Sequence, residues 1–235
     1  MATSSADVLE LLARGELTVR GRMPRSSNAT YLVEVAGSGV ALLAVYKPGR
    51  GERPLWDFPP GLFRREVAAW GLSQTLGWGL VPPTVLREGP FGEGSVQEFV
   101  HADFAEHYFT LHETPAHREQ LQRICAFDLL ANNADRKSGH CLLGPDGRVW
   151  AIDNALTFHA EPKLRTVIWD FAGQAIPAAI LDDVKRVQQA KLPADLAQLL
   201  EPAEQRALQQ RARALLKATC FPADDGGYRY PWPLV

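Results

Sequence analysis

Residues 16–48 alternate with a period of two in three short stretches, so the first half of the chain reads as short strands. "ELTVRGRM" alternates, "RSSNA" breaks it, "TYLVEV" alternates again, "GSG" turns the chain, and "VALLAVYKP" follows as an apolar strand. Alternation sends successive side chains to opposite faces, so an antiparallel meander of about three strands is expected. The Pro- and Gly-rich "GRGERPLWDFPPG" leads to "LFRREVAAWGLSQTLG", a helix that Gly77 closes. "LVPPTVLRE" and "EGSVQEFV" read as two further strands joined at "GPFGEG".

The second half changes character. "TPAHREQLQRICAFDLLANN" reads as a helix that Thr114 caps, with Pro115 in its first turn and a later part apolar nearly all round. "HCLLGPDGRVWAIDNAL" reads as a hairpin turning at "PDG", and helical segments follow around 180–190, 193–199 and 202–218. Strands first and helices later predict an α+β protein of two lobes, residues 1–100 and 101–235, meeting near Val100–Asp103.

Composition narrows the class. The 235 residues are 46% hydrophobic, enough for a substantial core. A formal charge of −2 gives no overall basic field for nucleic acid or acidic lipid. Cys125, Cys141 and Cys220 lack CxxC spacing, and an odd count argues against a disulfide framework. The N-terminus does not read as a secretory leader, since Asp, Glu and Arg interrupt its apolar residues. No run reaches the length of a membrane span, so a soluble, cytoplasmic protein without an integral membrane segment is expected.

Four places could carry chemistry. On the third strand Leu43, Val45 and Lys47 share a face, and a lysine on an apolar face needs a partner. Glu66 in the following helix is available; the plainer alternative is a lysine reaching solvent from the strand end. "RSSNAT" could offer backbone N–H groups to a phosphate, or be an ordinary turn. Asp135 follows the apolar helix, with Lys137 and His140 just beyond. The hairpin then brings Asp153, eighteen residues after Asp135, on the face of Val149 and Ala151 and toward that loop. Two carboxylates and a lysine suit phosphoryl transfer, which needs an oriented hydroxyl, charge neutralisation and a held divalent cation.

"VYKP", "FRREVAAW", "GLVPPTVL", "NNADRKSGHCLL" and "AIDNAL" together resemble the phosphatidylinositol 3-/4-kinase-like branch of the kinase superfamily, closest to the type II phosphatidylinositol 4-kinases, and a small bacterial group that carries that domain. The resemblance spans residues 17–175 and is most specific at the DRKSGH and AIDN motifs. It implies a bilobal protein-kinase-like fold, with an antiparallel sheet lobe and a mainly helical lobe, that binds ATP with Mg²⁺ or Mn²⁺. By that likeness Ser26, Ser27 and Asn28 lie in the nucleotide-covering loop, Lys47 binds phosphate, and Glu66 pairs with it. Gln97, Glu98, Phe99 and Val100 form the hinge for adenine; Asp135 is the catalytic aspartate and Asp153 the metal aspartate. Lys137 neutralises the transferring group, and Arg136 supports the loop or binds phosphate. The chain departs from the pattern at His140, where the branch has an Asn metal ligand; imidazole suits Mn²⁺ better than Mg²⁺.

Three functions follow as expectations. The first is an ATP-dependent phosphotransferase acting on a protein, lipid or small-molecule hydroxyl. The second is a nucleotide-binding pseudokinase that regulates a partner, which His140 favours. The third is a metal-dependent hydrolase built on His140, Asp153 and His159, in which Lys47 and Glu66 have no part. No cysteine cluster, basic patch or amphipathic membrane helix singles out a lipid acceptor.

Overall fold

The computed structural model describes residues 5–24, 26, 28–224, 226 and 229–235. Helix α1 (Ser5–Arg14) comes first, and the alternating stretches form β1 (Glu16–Arg22), β2 (Tyr31–Gly37) and β3 (Val40–Pro48). Helix α2 (Leu62–Leu76) follows, then β4 (Thr84–Gly89) and β5 (Gly92–Glu98). The five strands make one antiparallel sheet in the order β1-β2-β3-β5-β4. The β4–β5 hairpin folds back so that β5 lies beside β3, with Lys47 opposite Ser95 and Val45 opposite Gln97.

Helix α1 is an addition to the sequence-based expectation. Val8 and Leu12, one turn apart, bury against Val33, Val35, Ala44, Tyr46 and Val96 of the sheet. That packing corrects the reading of β3. Its fully buried face is Ala44 and Tyr46, under α1, whereas Leu43, Val45 and Lys47 are only partly covered on the opposite face. Lys47 therefore leaves the sheet away from the small core, which is why its ammonium can meet groups from the helical half.

Helix α2 ends at Gly77 in the left-handed region, φ +74°, where its N–H donates to the Gln74 and Ser73 carbonyls. A side chain other than Gly or Asn would be strained there. Short helix α3 (Tyr108–Leu111) precedes a 3₁₀ turn at Pro115–His117 and helix α4 (Arg118–Ala131). Thr114 makes no side-chain capping bond, so the helix starts through that 3₁₀ turn and not through the expected cap. A 3₁₀ turn at Ser138–His140 leads into the hairpin of β6 (Cys141–Leu143) and β7 (Val149–Ala151), as the sequence indicates. Helices α5 (Ala178–Gln189), α6 (Ala194–Ala197) and α7 (Pro202–Ala218) complete the chain's helical half.

The larger core lies in this half. Leu121, Ile124, Phe127, Phe158, Ile180, Val184, Leu208 and Leu215 form one cluster, and Ala68, Ala69, Leu72 and Leu76 of α2 join it. Helix α2 thus packs on the helical core while touching β4 and β5. Among the described residues no helix is long and apolar enough to cross a membrane.

Candidate active site

Strand β3, helix α2 and the turn after β7 converge on one ammonium. Lys47 Nζ bonds Glu66 Oε1 and lies 2.7 Å from Asp153 Oδ1. Glu66 is buried, and its second oxygen accepts the Asn154 N–H at 3.0 Å. Burial alone would lower the Lys47 pKa, but Asp153 and Glu66 together hold it above the ordinary lysine range. Lys47 in turn holds Asp153 well below the carboxylate range, against the effect of burial and with His140 adding to it. Asp153 has φ +54°, uncommon for a residue with a side chain, and its carboxylate remains 48% exposed.

The loop that bears Asp135 hangs from the end of α4. Asn132 ends the helix at φ +55°, and its amide donates to the His159 and Glu161 carbonyls. Asn133 accepts the Asp135 N–H at 2.9 Å and donates to Asp128. The Asp135 carboxylate is 26% exposed and lies 3.3 Å from Lys137 Nζ. Burial raises its pKa, with Lys137 opposing the rise.

Arg136 does not reach the cleft. It is fully buried, and Nε bonds both oxygens of Asp128 at 3.1 and 3.0 Å. Nη1 donates to the Ile152 carbonyl at 2.7 Å, and Nη2 to Asp128 Oδ1 at 2.9 Å and Asn154 Oδ1 at 2.7 Å. With its donors engaged inside the protein, the phosphate-binding alternative is set aside in favour of loop support. Asp128 and Asn154 are the partners the sequence reading missed. A carboxylate inside the apolar later part of a helix, eight residues before an arginine, was the available signal.

His140 is only 14% exposed, with Nε2 3.5 Å from Asp153 Oδ2. Burial depresses its pKa to about 4; Asp153 opposes this, while Arg136, Lys137 and Lys47 add to it. Nδ1 accepts the Lys137 N–H at 3.4 Å, so the neutral ring carries its proton on Nε2, toward Asp153. Coordination of a cation through Nε2 requires that proton to move to Nδ1, with loss of the Lys137 bond. Asp153 and His140 fit a divalent cation as two donors. Among the described residues no group of three His, Cys, Asp or Glu side chains could hold one. Mg²⁺ and Mn²⁺ commonly draw their remaining oxygens from substrate phosphates and water. His159 stands apart from such a group: its ring packs edge-on to Phe58 at 5.2 Å and accepts the Glu161 N–H. The hydrolase reading therefore lacks its ligand set.

The residues expected to cover and contact nucleotide divide. Asn28 Oδ1 accepts the Arg53 N–H at 2.9 Å, Ser26 is half-buried, and Ser27 lies outside the described residues. The Gln97 side chain donates to Thr84. The Glu98 and Phe99 amides are taken by the Pro83 and Leu43 carbonyls, each at 2.9 Å. Among the described residues no protein acceptor takes the Val100 amide. Beside it opens a cavity of about 510 Å³ lined by Phe99, His101, Phe104, Leu143 and Pro145. Lys47, Glu66, Asp135, Lys137, His140 and Asp153 are thus gathered at one place, with the Glu98–Val100 backbone at the sheet's end.

No protein-family model matches the chain. Protein Rv2133c of Mycobacterium tuberculosis (strain ATCC 25618 / H37Rv) is 40% identical over 260 residues, covering 95% of this chain and 94% of its own. Solved structures are similar at lower identity. The Golgi casein kinase with Mn/ADP bound matches with a TM-score of 0.61 at 14% identity, over 98% of this chain and 80% of that one. Hydra Fam20 with sugar matches at 0.54 and 14%, over 91% and 87%. The Helicobacter pylori proinflammatory kinase CtkA matches at 0.50 and 12%, over 89% and 94%. These likenesses establish a kinase-like α+β fold, not the phosphatidylinositol 3-/4-kinase branch in particular.

Proposed function

The chain belongs to the family of Protein Rv2133c, and we propose that it is an ATP-dependent phosphotransferase acting on a hydroxyl acceptor. One observation carries this reading: Lys47 is bracketed by Glu66 and Asp153, with the Asp135 loop alongside. A lysine paired with a helix glutamate, next to a partly exposed carboxylate that could also take a metal, is the arrangement that holds nucleotide phosphates in kinases. In this proposal residues 1–100 and 101–235 are the two lobes, and ATP lies between them. The Glu98 carbonyl and Val100 amide contact adenine, since the Glu98 and Phe99 amides are already taken. Ser26, Ser27 and Asn28 cover the phosphates.

Asp153 would be the principal residue holding the metal, with His140 beside it only if its proton sits on Nδ1. A bound Mg²⁺ or Mn²⁺ would supply positive charge to the phosphate oxygens. Asp135 orients the acceptor hydroxyl and receives its proton, for which a raised carboxyl pKa is suited. Lys137 neutralises charge on the transferring group, and Arg136 fixes the loop from behind.

The finer likeness to phosphatidylinositol 3-/4-kinases rests on "VYKP", "NNADRKSGHCLL" and "AIDNAL". It leaves protein, lipid and small-molecule hydroxyls all open as acceptors. The unpaired Cys125, Cys141 and Cys220 support a cytoplasmic setting. A second reading, a nucleotide-holding pseudokinase, draws on the Nε2–H form of His140, which presents a donor where the branch has a ligand. Single-turnover transfer from γ-labelled ATP with Mg²⁺ or Mn²⁺, to lysate or to the protein itself, decides between them. Transfer abolished by Asp135→Asn supports the enzyme; tight binding without transfer supports the pseudokinase.

A further inference from the structure

The loop between β3 and α2 contains a tryptophan that the phosphotransfer reading leaves unused. Glu52 accepts the backbone N–H groups of Gly61 at 2.9 Å and Phe63 at 2.7 Å, which closes the loop at its base. Phe58 fills the interior and packs with Leu62 and Ala134. The same loop turns Trp56 outward, 95% exposed. Closed, internally packed surface loops of this length frequently serve recognition. An indole held in water by such a loop contributes nothing to the core and offers a broad flat apolar face.

Trp56 has a cation for a neighbour. Lys163 Nζ lies 5.9 Å from its ring centroid. Lys163 and Arg165 both approach Asp57 Oδ2, each at 3.9 Å, so two cations share one carboxylate at the outer limit of ion pairing. Glu161 forms no ion pair with either cation among the described residues. Arg165 Nε also donates to the carbonyl of Ala134, the residue before Asp135, at 2.7 Å. With the Asp135–Lys137 pair, this face carries three cations, Lys137, Lys163 and Arg165, against two carboxylates, Asp57 and Asp135. Within this set the cations exceed the carboxylates by one.

Resting on the phosphotransfer reading, the geometry points to the Trp56–Lys163–Arg165 face as the acceptor site, and to a small anionic alcohol, such as a sugar phosphate or sugar acid, as the acceptor class. The indole takes the flat face of the ring, the surplus cation takes the anion, and a hydroxyl faces Asp135. In transfer the acceptor O–H gives its proton to Asp135 as the O–P bond forms. The bond from γ-phosphorus to the ADP oxygen breaks, and its electron pair leaves on ADP. A membrane surface fits less well, because such surfaces recruit clusters of about four to eight cations.

The test uses the full chain labelled with 5-fluorotryptophan, with the Trp56 ¹⁹F signal assigned among six tryptophans by Trp56→Phe. Glucose 6-phosphate, glucose, an acidic serine peptide and anionic phospholipid vesicles are titrated separately. Glucose 6-phosphate should move the Trp56 signal saturably and about tenfold more tightly than glucose, the effect of one charge-assisted contact. Lys163→Gln, whose backbone contacts are unchanged, should remove that preference. The proposal is overturned if no probe moves the signal, or if peptide or vesicles act at lower concentration than glucose 6-phosphate. Thermal stabilisation by ATP with Mn²⁺ is measured on the same samples. Stabilisation with a silent Trp56 sinks the acceptor site alone, whereas absence of stabilisation sinks the phosphotransfer reading beneath it.

Discussion

Lys47 Nζ lies 2.7 Å from Asp153 Oδ1 while it also bonds Glu66, so one ammonium joins the sheet, helix α2 and the turn after β7. The other oxygen, Asp153 Oδ2, lies 3.5 Å from His140 Nε2, so the carboxylate stands between the ammonium and the imidazole. In the proposed reaction a nucleotide phosphate would meet Lys47 and a divalent cation would meet Asp153 at this same junction. The backbone at Asp153 is fixed by its neighbours. Its left-handed conformation is held on the far side, where Asn154 bonds Glu66 through its N–H and Arg136 through its side chain.

Replacing the two carboxylates should separate two effects. Asp153→Asn removes the metal ligand, so the thermal stabilisation by ATP with either metal should fall to little or nothing. Asp135→Asn should leave that stabilisation within experimental error and lower transfer by about 10²- to 10⁴-fold, the usual contribution of a general base. Differential scanning fluorimetry and labelled-ATP transfer on the same preparations check both. Equal binding losses in the two variants would show that the roles are assigned wrongly.

His140 should make the protein acid-sensitive through its neutrality. Burial puts its folded pKa at about 4, below the ~6.5 of an unfolded histidine. As pH falls, the unfolded chain takes up the proton first. Stability present above pH ~6.5 is thus lost progressively down to about pH 4, by at most about 3 kcal/mol. His140→Asn should flatten that part of the profile, measured as urea midpoints at pH 7 and pH 4.5. For the same reason, metal-supported nucleotide binding should show no step near pH 6.5. An equal acid loss in both proteins would place the sensitivity elsewhere.

Period-two alternation sufficed to read the sheet, and "PDG" the second hairpin, because local backbone chemistry dictates both. Helix α1 carried a signal too, Val8, Leu11 and Leu12 followed by Gly15, though the terminus was weighed only as a possible leader. That Lys47, Asp135 and Asp153 come together was legible because their spacing follows the strand and loop geometry. The partners that fix them were not. Asp128 with Arg136, and Arg65 with Glu204, are long-range choices made by packing, and nothing local in either segment names the other. Which face of β3 is covered was undecidable for the same reason, since it depends on where α1 lands.

The Asp128–Arg136 pair should behave as a structural core element. Both side chains are fully buried, and removal of one partner leaves an uncompensated charge. Arg136→Leu should destabilise by about 3–5 kcal/mol, and Arg136→Lys should fail to restore it, because an ammonium cannot form the bidentate contact and also reach Asn154 and Ile152. Denaturant midpoints at constant m-value give the loss. A stable Arg136→Leu protein that has lost only nucleotide affinity would return Arg136 to the phosphate role.

Adjacent residues of α2 point in different directions. Glu66 turns to Lys47, and Arg65 turns to the helical half, where Nη2 lies 2.5 Å from Glu204 Oε1 of α7 and Nη1 donates to the Thr157 carbonyl at 2.7 Å. Both Arg65 and Glu204 are buried, and the bond ties α2 to a helix nearly 140 residues further along, |i−j| being 139. In this arrangement Glu66 is held at Lys47 without help from a ligand or a modification. Breaking the tether should therefore act on the site through position. Glu204→Gln keeps a hydrogen-bond acceptor but loses the charge, and should cost about 1–3 kcal/mol of stability. Its distinctive effect should be on Lys47: with α2 less firmly placed, the Lys47–Glu66 bond weakens and ATP affinity falls together with transfer. Glu204→Ala should enlarge both effects in the same order, and Arg65→Lys should not rescue, because an ammonium cannot span Thr157 and Glu204 together. Amide hydrogen exchange along residues 62–76 reads the tether directly. Faster exchange there in Glu204→Gln, with α4 unchanged, is the expected result; uniform acceleration over the whole chain would mean that the pair only adds global stability.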